Sequence, residues 1–238
     1  MKINRLQGLH GAAAATGVVI IIDVFRACTT ACYALDRGPG RYWLAGSCST
    51  AARIATESTS ALLIGKPELG STLAYHIPNS PTRVADVEVE GRAVIHRTAA
   101  GARGVVVAER ADAIFLGCFA NAGSTIARIG QLGPAVVSIV AMGHEGNAPA
   151  PEDDLCAGYL EARLRGQTLD IAPFVPGLKS SSGAYFFGAS QAEYPSSDFA
   201  SCLELDRFEF AIEARRSGDA ALIWATPPVS DTRPHWKR

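Results

Sequence analysis

The sequence predicts an α/β fold, a three-layer α/β/α sandwich around a largely parallel or mixed sheet. The first observation is a run of five β-branched residues at positions 18–22, which is typical of a strand buried on both faces. The second is an alternation of strand, loop and helix that recurs about five times before Gly166. Together these patterns favour helices packed on both faces of one sheet.

The individual elements follow from apolar runs and from the residues that interrupt them. The first strand leads into a helix at 27–35, which Gly-Pro-Gly at 38–40 terminates. Ser49 or Thr50 suits the N-cap of a helix at 49–57, and Pro151 suits the first turn of a helix at 152–165. Further strands are predicted at 41–44, 61–64, 93–96, 113–116 and 136–142, and further helices at 81–84 and 121–132. Residues 104–108 fit either a helix or a strand.

The whole chain, 1–238, is predicted to be a single domain. Its 238 residues and 48% hydrophobic content suit one large core, and no repeat or clean linker divides it. The pattern becomes less regular from about residue 167, where Ser, Gly and aromatic residues are frequent. A helix near 187–192 and strands at 208–214 and 221–224 are predicted there.

Charge and composition exclude several classes of partner. The 22 Lys and Arg residues nearly balance the 23 Asp and Glu residues, so neither a nucleic-acid nor a membrane partner is expected. No apolar stretch reaches the roughly 20 residues of a transmembrane helix, and the N-terminus lacks the order of a signal peptide. The six dispersed cysteines favour reduced thiols that fill core space. We expect a cytoplasmic protein, and a homo-oligomer is possible.

Polar residues occupy four loops at the ends of predicted strands or the starts of helices. Since ligands bind beyond the carboxyl ends of strands in open α/β sheets, these loops are candidates for one site. Their carboxylates suit a hard cation, and their Arg, Lys and backbone amides suit an anion. The loops are 23–30 with Asp23 and Arg26, 66–80, 97–102 with Thr98 and Gly101, and 152–154.

Each loop also has a purely structural interpretation. Asp23 could cap the following helix, and Arg26 could form a structural ion pair with it. Asn79 and Ser80 could form only a turn, and the acids at 152–154 could complement a helix dipole. The placement of all four loops beside predicted elements favours a functional site over these alternatives.

Familiar catalytic motifs are absent from the sequence. It contains no phosphate-binding loop of the Gly-x-x-x-x-Gly-Lys-Ser/Thr type, no dinucleotide fingerprint and no Gly-x-Ser-x-Gly elbow. The five histidines show no spacing typical of metal ligands. A phosphatase of the haloacid dehalogenase type needs a second acid two residues after Asp23, where this chain has Phe25.

Five motifs in the same order resemble the 2-phosphosulfolactate phosphatase family over residues 18–166. They are Asp23-Val-Phe-Arg-Ala-Cys-Thr-Thr30, Asn79-Ser-Pro81, Arg97-Thr-Ala-Ala-Gly-Ala102, Gly117-Cys-Phe-Ala-Asn-Ala122 and Glu152-Asp-Asp-Leu-Cys-Ala-Gly158. The resemblance implies a Mg²⁺-dependent phosphatase that hydrolyses 2-phospho-3-sulfolactate to 3-sulfolactate and phosphate, a step in coenzyme M synthesis. The expected partner is therefore a small anionic phosphorylated substrate.

The resemblance, with the chemistry of these side chains, assigns expected roles to the site residues. The catalytic residues are Asp23, Arg26 and Asp153, and the magnesium ligands are Asp23, Glu152 and Asp153. Asp23 could instead act as the general base. The substrate-binding residues are Lys66, Asn79, Ser80, Arg97, Thr98, Gly101 and Asn121.

Two alternatives remain open at the level of the sequence. The first is a phosphatase of the same fold for another small phosphorylated hydroxy acid. The second is a relative that binds anions without turning them over. Lys66, His76 and Ala102 suggest the second alternative, because family members usually have other residues at these positions.

Overall fold

A computed structural model describes residues 1–58, 60–68 and 70–227, and these residues form a nine-stranded sheet with helices on both sides. The strands are β1 (Lys2–Gln7), β2 (Gly17–Ile22), β3 (Arg41–Ala45), β4 (Leu62–Ile64), β5 (Ala93–Arg97), β6 (Ala111–Gly117), β7 (Val136–Ala141), β8 (Ala211–Ser217) and β9 (Ala220–Thr226). The helices are α1 (Gly8–Ala14), α2 (Ala27–Leu35), α3 (Cys48–Ala55), α4 (Pro81–Val84), α5 (Gly101–Val107), α6 (Ala122–Leu132), α7 (Pro151–Leu164), α8 (Val175–Ser180) and α9 (Ser196–Leu203).

The sheet contains two parallel groups joined by an antiparallel hairpin. Its strand order is β1-β7-β2-β6-β8-β9-β3-β5-β4. The first four strands pair in parallel, and so do the last three. The hairpin β8–β9 lies between the groups and pairs antiparallel with β6 on one side and β3 on the other. The prediction of a mixed sheet in an α/β fold is therefore confirmed.

The central strand β2 explains why the fold has three layers. Its residues from Val18 onward are buried, and successive side chains point to opposite faces. Ile20 packs beside Leu160 of α7, whereas Ile21 packs beside Gly104 of α5. The predicted α/β/α sandwich is confirmed, and the β-branched run supplies both halves of the core.

Helix α5 lies against strands from both parallel groups of the sheet. Helix α5 contacts β2, β3, β8 and β9. Three antiparallel pairings separate the two parallel groups, so the groups run in opposite senses. The loops after β2 and β5 nevertheless meet at the start of α5, where the Gly101 N–H donates to Asp23.

Most predicted elements match the structure, and the differences lie in the first 16 residues and just after Phe187. The residues 104–108 belong to helix α5, and the region 1–16 forms β1 and α1, which the sequence did not predict. The helix predicted near 187–192 is wrong, because a short 3₁₀ turn ends at Phe187 and irregular turns follow it. All six cysteines are buried free thiols, as predicted. Among the described residues, none of the helices combines the length and the apolar character needed to span a bilayer. The assignment of one domain over 1–238 stays a prediction.

Candidate functional site

The three predicted metal-binding acids line one cavity of about 420 Å³, together with Glu145. Asp23 immediately follows β2, and Glu152 and Asp153 lie in the first turn of α7. These segments are about 130 residues apart in sequence, yet their carboxylates face the same space. The structure therefore brings together all three side chains that the sequence predicted as magnesium ligands.

Asp23 both caps a helix and lines the cavity. Its Oδ1 accepts a hydrogen bond from the Ala27 N–H at 3.2 Å, and its Oδ2 accepts one from the Gly101 N–H at 3.0 Å. A Cβ at Gly101 would lie 3.3 Å from Oδ2, so glycine permits this close approach. Burial raises the pKa of Asp23, while the two amides and the Arg26 charge oppose that rise. The structural and functional interpretations of Asp23 are compatible.

Asp153 joins three segments at the floor of the cavity. Its Oδ1 accepts a hydrogen bond from the Val24 N–H, and its Oδ2 accepts one from the Gly143 N–H, each at 2.8 Å. The residue is buried, and burial raises its pKa well above the ordinary value. The nearby charges of Asp23 and Glu152 raise it further. Asp153 is thus held rigidly beside two other acids.

Glu152 has a buried carboxylate oxygen that lacks a hydrogen-bond partner in the described structure. Its buried Oε2 is unpaired, and burial raises the pKa of the side chain. A cation in the cavity would relieve both the unpaired oxygen and the repulsion among three acids. In residues 1–58, 60–68 and 70–227 no group of three or more His, Cys, Asp or Glu side chains is arranged so that it could hold a metal ion. The donor type fits Mg²⁺, which binds few carboxylates and keeps several waters.

A second cavity of about 340 Å³ adjoins the first, and its lining includes three basic residues and one acid, Glu193. Arg26, Lys66 and Arg97 line it together with Asn79. The two cavities share lining residues, which are Phe25, Lys66, Ala99, His144 and Tyr185. The combined space therefore has an acidic end and a basic end, with Lys66 at the junction.

Arg26 is held firmly at the wall of the basic cavity. Its Nη1 donates to Asp198 Oδ2 and to the Glu193 carbonyl oxygen, each at 2.7 Å. Its guanidinium also stacks on Tyr194, 4.7 Å from the ring centroid, and lies near the Phe186 ring. Asp23 is not its ion-pair partner, contrary to the structural alternative considered from the sequence.

Asp198 connects three elements and was missed by sequence reasoning. The side chain is fully buried in the first turn of α9. Besides the contact with Arg26, its Oδ1 accepts hydrogen bonds from Ser80 Oγ and the Thr82 N–H, both at 2.9 Å. No local motif marks this acid, because its partners lie more than 100 residues away.

Ser80 and its neighbour Asn79 have different surroundings. The Ser80 hydroxyl is buried, donates to Asp198 and accepts from the Arg83 N–H as the N-cap of α4. It does not line either cavity, whereas Asn79 lines the basic one. The expected role of Ser80 in substrate binding is not supported by its contacts, which are those of a helix cap.

The other two cations differ in their partners. The Arg97 guanidinium pairs with the Glu68 carboxylate, so its charge is partly compensated. Lys66 is exposed and forms no ion pair with any acid in the described part of the chain. Lys66 therefore offers the least compensated positive charge at the junction of the cavities.

Three further predicted binding residues support the frame of the site. Thr98 Oγ1 accepts a hydrogen bond from the Ala102 N–H at the start of α5, and Gly101 donates its N–H to Asp23. Asn121 is fully buried and bonds to the Cys118 N–H and the Leu116 carbonyl oxygen. None of Thr98, Gly101 and Asn121 lines the two cavities. The contacts of Asn121 are those of a structural residue.

Comparisons with known proteins show which family this chain resembles. A family model described as 2-phosphosulpholactate phosphatase matches residues 4–215. A probable 2-phosphosulfolactate phosphatase of Bacillus subtilis (strain 168) is 27% identical over 228 residues, covering 94% of this chain and 98% of that protein. A protein of the same name from Thermus thermophilus is 27% identical and covers 73% of this chain and 71% of its own length. Another from Parasynechococcus marenigrum is 31% identical, with 65% and 64% covered.

Proposed function

Because this chain belongs to the 2-phosphosulpholactate phosphatase family and is thus a phosphoric monoester hydrolase, we propose that its substrate is 2-phospho-3-sulfolactate. The reaction would release 3-sulfolactate and phosphate with the help of magnesium. The observation that carries the proposal is the acidic cavity that adjoins a cavity lined by Arg26, Lys66 and Arg97.

The charge pattern suits a substrate with three anionic groups. Phosphate, sulfonate and carboxylate each need cations or N–H donors in place of water. Arg26 and Arg97 offer guanidinium donors, and Lys66 offers a charge next to the acidic cavity. We infer that the phosphoryl group lies towards the acids and that the sulfonate and carboxylate lie towards the arginines.

Asp23, Glu152 and Asp153 are the residues that would hold magnesium. The unpaired Oε2 of Glu152 and the mutual repulsion of the three acids support this assignment. When bound, magnesium supplies neutralisation of phosphoryl charge and activation of water. Asp23 remains an alternative general base, since it lines the same cavity.

The proposal is tested by phosphate release from 2-phospho-3-sulfolactate, with magnesium and with a chelator. We predict that Asp23→Asn lowers kcat/KM by on the order of a hundredfold or more, because it removes a charge that acts in the transition state. Asp154→Asn is the matched control, because Asp154 is a neighbouring acid whose carboxylate bonds to Gln7 outside the acidic cavity. Wild-type turnover by Asp23→Asn would contradict the proposal, and circular dichroism checks that both variants fold.

The two alternative functions, a phosphatase for another substrate and a non-catalytic anion-binding protein, would give different results in these assays. A panel of phosphorylated hydroxy acids identifies a phosphatase with another substrate. Calorimetry that detects anion binding without phosphate release identifies a non-catalytic relative. One observation favours the non-catalytic alternative: Lys66 lines the same cavity as the acids that would hold a metal, and its positive charge would compete with a cation there. A cytoplasmic location, a role in coenzyme M synthesis and assembly into a homo-oligomer stay predictions.

A further inference from the structure

A buried chain of hydrogen bonds leads from the core to the basic cavity. The Tyr42 hydroxyl lies 2.9 Å from His96 Nδ1, and His96 Nε2 lies 2.9 Å from Asn79 Oδ1. Tyr42 and His96 are on the paired strands β3 and β5 and are almost completely buried. Asn79 lines the basic cavity. The two buried side chains therefore reach the site only through Asn79.

The contacts determine where each proton lies. The Tyr42 hydroxyl has no other hydrogen-bond partner in the described structure, so its proton is donated to His96 Nδ1. A neutral imidazole then carries its proton on Nε2 and donates it to Asn79 Oδ1. Burial, followed by the Arg26 charge, lowers the pKa of His96 to about 3, which keeps the ring neutral.

This order of donors leaves the Asn79 amide with a defined direction. Its oxygen is occupied by His96, and its Nδ2 has no hydrogen-bond partner in the described residues. We propose that Tyr42 and His96 are positioning residues, which turn the Asn79 amide so that its N–H donors bind an anionic oxygen of the substrate. This inference deepens the proposed function and rests on it for the identity of the substrate.

The opposite arrangement would weaken anion binding. If the Nδ1 of His96 carried the proton, Nε2 would accept a hydrogen bond from Asn79 Nδ2. The Asn79 oxygen would then face the cavity and repel an anion. An asparagine amide can be turned either way at little cost, because its oxygen and nitrogen have the same shape. The buried Tyr42–His96 pair fixes which of the two faces the cavity. The pair thus makes the cavity selective for acceptors such as sulfonate, carboxylate or phosphate.

The first test replaces Tyr42 with Phe. This removes the donor to His96 Nδ1, so that the His96 ring can carry its proton on either nitrogen. Sulfate and inorganic phosphate are the probes, and calorimetry measures their Kd for the full chain. We expect Kd to rise about tenfold, and KM to rise similarly with kcat changed less than about threefold, because a hydrogen bond to a charged group is lost. Tyr159→Phe is the matched control, since Tyr159 is also buried and accepts a hydrogen bond from Arg163 away from the two cavities.

The second test is ¹⁵N NMR of the His96 ring in the wild-type chain, which reports the protonated nitrogen without any assay of activity. A proton on Nε2 supports the proposal, and a proton on Nδ1 overturns it even if Tyr42→Phe does not fold. Unchanged Kd values in a folded Tyr42→Phe also overturn it. If sulfate binding weakens but phosphosulfolactate is not hydrolysed by the wild type, the positioning role stands and the proposed function fails.

Discussion

Single residues in this protein serve the fold and the site at the same time. Asp23 accepts hydrogen bonds from two backbone amides, and Asp153 accepts two more, so both carboxylates are fixed before any ligand arrives. This differs from a flexible surface acid, which would lose side-chain entropy on binding. Rigid acids on the ends of buried elements are suited to a reaction that depends on position and charge.

His96 gives a prediction about stability and pH. The unfolded chain protonates a histidine below about pH 6.5, whereas His96 in the fold stays neutral until about pH 3. Protons therefore favour the unfolded chain as the pH falls through this window, and His96 costs roughly 2 kcal/mol of stability at pH 5 relative to pH 7. Urea unfolding of the wild type and of His96→Gln at both values measures the difference.

The expected outcome is a weaker loss of stability between pH 7 and pH 5 in His96→Gln than in the wild type. The control is His10→Gln, because His10 is exposed and takes no part in the hydrogen-bond chain from Tyr42 to Asn79. Equal pH dependence in the wild type and His96→Gln would mean that His96 titrates normally in the fold. The neutral ring required by the hydrogen-bond chain would then be in doubt.

At the scale of elements, the first turns of helices supply most of the side chains and backbone donors of the site. The beginnings of α2, α5 and α7 carry or bind the acids, and the backbone N–H groups at the starts of α2 and α5 donate to Asp23. These groups are free because the first turn of a helix has no internal acceptors. Asp198 at the start of α9 likewise accepts a hydrogen bond from the backbone N–H of Thr82 at the start of α4, and it also accepts one from the Arg26 guanidinium.

We predict that Asp198→Asn lowers the free energy of unfolding by about 3–5 kcal/mol, because it leaves the buried Arg26 without its ion-pair partner. KM should also rise, since Arg26 is no longer fixed at the wall of the basic cavity. Denaturant unfolding and steady-state kinetics measure both effects. Asp86→Asn is the control: Asp86 forms an exposed pair with Arg83, so a loss below about 1 kcal/mol is expected. Similar losses in both variants would contradict the assigned role.

At the scale of the whole molecule, local signals predicted the fold better than the site. The β-branched run before Asp23 and the Gly-Pro-Gly at 38–40 act over a few residues, and the elements beside them match the structure. The role of Ser80 as an N-cap before Pro81 could have been inferred in the same way. Asp198 could not, because its partner Arg26 is 172 residues distant and only the folded chain brings them together.

The position of the hairpin β8–β9 within the sheet is the largest feature that the sequence did not predict. Its strands were predicted approximately, but nothing local indicates that they insert between β6 and β3. Pairing partners are selected by packing over the whole chain rather than by strand propensity. The hairpin joins the parallel group that bears Asp23 to the group that bears Arg97, so the acidic and basic ends of the site depend on it.

This dependence leads to a prediction about cooperativity. Ile223 of β9 is buried and pairs with Tyr42 of β3 and Ala214 of β8, so Ile223→Ala should cost about 2–4 kcal/mol. Because the hairpin links both groups, sulfate binding and tertiary structure should be lost together, at the same lowered urea concentration. Near-UV circular dichroism and calorimetry along one urea series measure this. Trp224→Ala, at an exposed neighbour, should shift the transition much less. Loss of sulfate binding well before unfolding would show instead that the two groups are held together by other contacts.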